Sequence, residues 1–191
     1  HKSISLLGDA KVSVKLIFER INNFHISKQY ETEINRLKNL WEADVVRVTS
    51  KSDKNSLPSD SEVIGAVNRN VPKDTIVIGA AGSMPGELHK LWQSGDVEGY
   101  HMEYGFSCMG YEIPAAIGVN LAEPDRPNVI FVGDGSYMMM NSELSTAVMM
   151  GISTTIIVTD NRGFGCINRL QKSTGSEPFN NLFKDSHHQR L

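Results

Sequence analysis

VIFVGDGSYMMMNSELSTAVMMGISTTIIVTDNRGFG, residues 129–165, decides the fold. It begins and nearly ends on short β-branched runs, VIFV and TTIIVT, each followed by a glycine or polar turn. Apolar runs of that length, without polar alternation, suit strands covered on both faces, as in parallel sheets. Between them NSELSTAVMM has helical spacing and is closed by Gly151, a residue type that ends helices in a left-handed turn. Strand, one helix, strand is the crossover that joins neighbouring parallel strands.

The same alternation extends toward the N-terminus. TIVIGA, residues 75–80, is a further buried strand. YEIPAAIGVNLA, residues 111–122, is a helix whose first turn accommodates Pro114. Ser59 or Ser61 can cap a helix carrying Val63, Ile64 and Val67, with Glu62 favouring its N-terminal end. The expected fold is α/β, an open parallel sheet with helices on both faces, and ligands of such sheets bind at the carboxyl ends of the strands. No internal repeat is present. Residues 1–57 differ in character. KVSVKLIFERINNF has partly helical spacing, and YETEINRLKNLWEADV sets Ile34, Leu37, Leu40 and Trp41 on one stripe. TSKSDKNSLPSDSE then reads as a polar linker. The tail from Lys172 to Leu191 is polar and irregular, which predicts a loop or mobile lid, with His187 and His188 solvated.

Bulk properties exclude some classes. With 191 residues, 40% hydrophobic and 21% charged, the chain is sized for one globular domain, with or without an appendage. A net charge of −3 gives neither a general basic field for nucleic acid nor a polybasic membrane anchor. Two cysteines, Cys108 and Cys166, make no disulfide framework, and a reducing cytoplasmic setting is expected. The N-terminal HKSISLLGDA lacks a signal-peptide core, no apolar run approaches ~18 residues, and His1 in place of Met suggests a processed chain or part of a longer one.

The chemistry-bearing residues are Gly133-Asp134-Gly135-Ser136 and Asp160-Asn161-Arg162-Gly163. Both follow strands, so both open at one sheet edge, where Asp134 and Asn161 can face each other. A carboxylate and an amide oxygen suit Mg²⁺, which takes hard oxygen ligands and usually shares them with phosphate. The Gly163 carbonyl is a candidate third ligand. Gly135 and Ser136 open the next helix, where backbone N–H groups and the Ser136 hydroxyl can hold a diphosphate. A lone GDG turn after a strand is commonplace; the paired arrangement, strand–GDGS–helix–strand–DN, is far more specific.

GDGSYMMMNSELSTAVMMGISTTIIVTDNRGFG resembles the cofactor signature of thiamine-diphosphate enzymes such as acetolactate synthases and pyruvate decarboxylases. Their pattern ends in Asn-Asn; here Asp160 replaces the first, and the ligating residue is the second. GFSCMGYEIPAAIGVNLAEPDRP resembles the segment preceding that signature. The resemblance implies a diphosphate-binding domain that holds thiamine diphosphate and Mg²⁺. It makes Met109 the apolar prop under a bent cofactor, where the alternative is an ordinary core methionine. Ser107 and Met109 would present backbone to the aminopyrimidine. Ala81, Gly82 and Ser83 would form a second diphosphate turn, with Phe164 at the metal turn.

HMEYGFSCMGYEIPAAIG with DNRGFGCINRLQ is most similar to the branch of that family that opens a polyol-derived cyclic dione by carbon–carbon cleavage in inositol breakdown. Acetolactate synthase-like or 2-oxoacid decarboxylase chemistry is the enzymatic alternative, and a non-catalytic assembly module is the other. The resemblance implies that residues 1–57 are the end of a central domain plus a linker. Residues 58–191 would be the diphosphate domain, incomplete at its C-terminus. A pyrimidine-binding domain, carrying the glutamate that activates the cofactor, would come from elsewhere in the same or a partner subunit of a homo-oligomer. His101 and Glu103 are candidates for acid–base work, against a reading as satisfied polar residues. Cys166 is expected to be a buried cysteine rather than a thiolate.

Overall fold

The computed structural model describes residues 3–51 and 55–182. The chain divides into two units, 1–44 and 45–191. The first is helical. Asp9 caps α1 (Ala10–Arg20) by accepting the Val12 N–H, and α1 has no buried residue. The 22-residue α2 (Lys28–Thr49) follows; Val45 and Thr49, its buried residues, both belong to the second unit. The expected stripe of Ile34, Leu37, Leu40 and Trp41 lies on α2 and is exposed.

The second unit is the α/β fold expected from the sequence. Its elements are α3 (Asp60–Asn70), β1 (Ile76–Gly79), α4 (Ser83–Leu91), β2 (Tyr100–Met102), α5 (Glu112–Ala122), β3 (Asn128–Gly133), α6 (Asp134–Met140), α7 (Glu143–Met149), β4 (Thr155–Thr159) and α8 (Gly165–Ser173). The four strands are parallel, in the order β2-β1-β3-β4. Side chains alternate between faces along each strand. Val77, Val129 and Phe131 therefore pack with Ile64 of α3 and Met84, Leu88 and Leu91 of α4. Ile76, Ile78, Ile130 and Val132 pack with Ile113, Ala115 and Ala116 of α5. Every residue of β1 is buried, which is why TIVIGA shows no alternation. The edge strand β4 is more open, with Val158 37% exposed.

Local chemistry fixes the boundaries. Ser59, not Ser61, caps α3: it accepts the Glu62 N–H at 3.3 Å, and the Glu62 carboxylate accepts the Ser59 N–H at 2.7 Å. Gly65 of α3 faces Thr49, whose Cβ would lie 2.4 Å from an added methyl, so the last turn of α2 packs closely on α3. This places the division between units at Asp44, ahead of the linker read from the sequence. At the amino edge of the sheet, Arg126 donates to the Asp74 carbonyl at 2.9 and 3.0 Å and pairs with Asp96 at 3.0 Å.

Three expectations need correction. Two helices, α6 and α7, rather than one, join β3 to β4. The strand β2 is new; its three half-buried residues, YHM, carry no apolar run to signal it. The tail is irregular as expected, but its described part is tied down. Leu182 forms an antiparallel bridge with Gly163, and Phe164 donates to the Asn181 carbonyl at 2.8 Å. His187 and His188 lie outside the described residues, as does the middle of the expected linker. No helix among the described residues is long and apolar enough to cross a membrane.

Candidate functional site at the carboxyl edge of the sheet

A cleft of about 310 Å³ opens where β1, β3 and β4 end. That volume is at the lower end for a pocket that takes an organic cofactor. Four turns wall it, contributing Ala81, Gly82 and Ser83; Ser107 and Met109; Gly133, Gly135 and Ser136; and Asn161, Gly163 and Phe164. These include every cofactor-binding position read from the sequence, together with Asn161, read there as a metal ligand. Met84, Thr159, Cys166, Ile167 and Leu170 line it too and were not anticipated as such. Cys166 is half-buried against the cleft rather than buried in the core.

Asp134 lies behind this wall, 1% exposed. Its Oδ1 accepts the Gly135 N–H at 2.9 Å and its Oδ2 accepts the Gly163 N–H at 2.8 Å. The second bond spans the mouths of β3 and β4, where Gly133 is in register with Thr159. Burial raises the Asp134 carboxyl above the ordinary range; the two N–H groups oppose this, and the nearby Asp160 carboxylate adds to it. The Asn-to-Asp departure at position 160 therefore adds a carboxylate beside Asp134. Asp160 also accepts the Arg162 N–H at 2.9 Å and pairs with its side chain at 3.2 Å.

Close packing shapes the turn. Asn161 is held against Gly165, where an added Cβ would sit 3.0 Å from the amide nitrogen. An added Cβ on Gly135 would lie 2.7 Å from the Phe164 ring. Gly163, at φ +146°, would put one 2.1 Å from the Asn181 carbonyl oxygen. These positions need glycine because other groups occupy the space a side chain would take.

The hydroxyl expected to face a diphosphate is committed elsewhere. Ser136, 2% exposed, donates to the Glu112 carboxylate at 2.8–2.9 Å and accepts the Gly110 N–H at 2.7 Å. Gly110 also donates to Glu112 Oε2 at 3.1 Å. Glu112 is 1% exposed; burial raises its carboxyl, while its own N–H, the Ser136 hydroxyl, and the N–H groups of Gly110 and Ala81 favour the charged form. Sequence reasoning missed this carboxylate. The signal was available: it is the one charged residue of the mostly apolar EIPAAIGVNLA.

The two acid–base candidates do not line the cleft. Glu103 accepts the Phe106 and Cys108 N–H groups, both at 2.8 Å, and these bonds lower its carboxyl below the usual range. It shapes the 104–108 turn, in which Ser107 takes φ +53°. His101 Nε2 is 2.7 Å from the Tyr111 hydroxyl, with the rings stacked at 5.8 Å. Both fit the reading as satisfied polar residues.

A thiamine-diphosphate-binding fold is what this sheet edge defines, and comparison with known proteins agrees. Residues 80–189 match the family described as thiamine pyrophosphate enzyme, C-terminal TPP binding domain, and the chain belongs to that family. Among curated relatives, the 3D-(3,5/4)-trihydroxycyclohexane-1,2-dione hydrolase of Clostridium tetani is 40% identical, over 95% of this chain and 32% of its own length. The proteins of the same name from Clostridium perfringens and Geobacillus thermodenitrificans are 38% and 37% identical, over 89% and 95% of this chain. The chain thus spans about a third of the length of these relatives.

Proposed function

We propose that this chain anchors thiamine diphosphate through Mg²⁺ in an enzyme that opens a polyol-derived cyclic 1,2-dione by cleaving a carbon–carbon bond. The observation that carries the reading is the junction of Asp134 with the metal turn, bridged by the Gly163 N–H at 2.8 Å. The donor set fits Mg²⁺. Among the described residues no group of three or more His, Cys, Asp or Glu converges. A cation here would take Asp134, the Asn161 amide oxygen and the Gly163 carbonyl, leaving positions for phosphate oxygens. Each Asp134 oxygen accepts one N–H and retains acceptor capacity. A divalent cation would also favour the charged form that burial penalises.

Bound in the cleft, the cofactor supplies a carbon nucleophile and an electron sink for cleavage beside a carbonyl. The chain's own residues bind and orient. Gly82 (φ +105°) is the N-cap of α4 and, with Ser83, lines the cleft, where their backbone N–H groups would meet the diphosphate. Met109 and Phe164 offer apolar surface that positions the organic part and excludes water. The dione substrate follows the names of the relatives. The groups that activate the cofactor belong, in this proposal, to a pyrimidine-binding domain of the same or a partner subunit in a homo-oligomer.

The test is calorimetry of Mg²⁺–thiamine diphosphate binding by the protein at its natural length and by Asp134→Ala. Binding by the parent and at least about a hundredfold weakening in the variant are expected, since removal of a charged ligand costs several kcal/mol. Equal binding by both proteins overturns the site assignment. Turnover of the cyclic dione with release of ring-opened product tests the substrate; turnover of 2-oxoacids instead would reassign the reaction within the family.

A further inference from the structure

Two of the four turns that wall the cleft hydrogen-bond to one carboxylate that the metal-centred reading does not use, and a third lies beside it. Glu112 starts α5 and is 1% exposed. Its carboxylate takes the Ser136 hydroxyl at 2.8–2.9 Å and the Gly110 N–H at 3.1 Å, and the Ala81 N–H also stabilises its charge. Ser136 closes a triangle by accepting the Gly110 N–H at 2.7 Å. Ala81 belongs to the turn after β1, Gly110 follows the Ser107–Met109 turn, and Ser136 belongs to the first turn of α6, directly after β3. The packing agrees with the polar pattern. Gly110, at φ +86°, admits no side chain, because a Cβ there would lie 2.7 Å from Met140 of α6.

We infer that Glu112 is the positioning residue of the cleft, holding the Ala81, Gly110 and Ser136 turns at the spacing a Mg²⁺–diphosphate group requires. A buried carboxylate is costly unless its acceptors are filled, so a purely structural role at this position is served better by an apolar side chain. One acidic side chain bonded by donors from two separate turns, with the Ala81 N–H of a third beside it, fixes distances that apolar packing leaves adjustable. Glu112 acts through the backbone it holds. The inference rests on the proposal that the cleft binds Mg²⁺–thiamine diphosphate.

The experiment measures binding of two ligands, Mg²⁺ with thiamine diphosphate and Mg²⁺ with inorganic diphosphate, to the protein at its natural length. The variants are Glu112→Ala, Glu112→Gln, Ser136→Ala and, as a control for lost stability, Ile64→Val in the α3 core. Glu112→Ala is expected to weaken both ligands at least tenfold. Glu112→Gln, which keeps an acceptor oxygen in place, should restore binding to within about threefold of the parent. Ser136→Ala, which removes one arm of the triangle, should fall between them. Ile64→Val should lower the melting temperature and leave both affinities unchanged.

If Glu112→Ala does not fold, Ser136→Ala and Glu112→Gln decide: parent-like binding by Ser136→Ala overturns the inference, and weakening by Ser136→Ala with near-parent binding by Glu112→Gln supports it. Parent-like binding by a folded Glu112→Ala also overturns the inference while leaving the cofactor reading intact. A parent protein that binds neither ligand removes the cofactor reading, and the inference with it.

Discussion

The two ends of the same parallel sheet handle polar groups in opposite ways. At the amino edge, Arg126 reaches the Asp74 carbonyl and pairs with Asp96 and the more exposed Glu98. Those acids are 43% and 76% exposed and remain solvated. At the carboxyl edge, Asp134 and Glu112 are each 1% exposed and accept hydrogen bonds from backbone N–H groups and, for Glu112, a hydroxyl. An exposed ion pair contributes little and tolerates loss. A buried carboxylate holding backbone turns is worth keeping where the spacing of those turns matters. The sheet is fastened at one end and tuned at the other.

The largest expected break of this contrast comes from Gly163→Ala. The new methyl would strike the Asn181 carbonyl and the backbone would be strained at φ +146°, so a loss of about 3 kcal/mol or more is expected in chemical denaturation. Parent-like stability would mean that Asn181 does not press on the turn after β4.

A smaller effect sharpens the contrast through pH. Burial raises the Glu112 carboxyl in the folded protein, so the folded state holds that proton more tightly than the unfolded chain. The resulting stability is full below the unfolded value, about 4.3. It is lost as pH rises through the raised folded value, by at most about 1.4 kcal/mol per pH unit for one proton. Asp134 is shifted the same way by burial and contributes with the same sign. Glu112→Gln should flatten part of the decline in melting temperature across this window. An unchanged slope would show that Glu112 titrates as it does in the unfolded chain.

The smallest effect belongs to the other edge. Arg126→Ala should cost about 1 kcal/mol and leave Mg²⁺–thiamine diphosphate affinity unchanged. A tenfold loss of affinity would join the two edges and dissolve the distinction.

The legible parts of this chain were those governed by local pattern. β1 and β3 are buried apolar runs and β4 is an apolar run at the more open edge, and the GDGS and DN turns follow directly from where those runs stop. Side-chain commitments were less visible because they depend on distant partners. Ser136 at a helix start reads as a free hydroxyl until Glu112 arrives from another helix. Glu103 reads as an acid until it is seen bonded to its own following turn. β2 carries no pattern of its own and exists because β1 offers an unpaired side to Tyr100, His101 and Met102.

The antiparallel bridge between Gly163 and Leu182 ties residues far along the chain to the mouth of β4. Together with the bond from Phe164 to Asn181, it makes residues 174–182 a strap anchored on the turn after β4. Amide exchange at Phe164 should therefore report on the strap as much as on the turn. A protease cut between Gly175 and Asn180 would loosen the turn after β4 without touching any residue that lines the cleft.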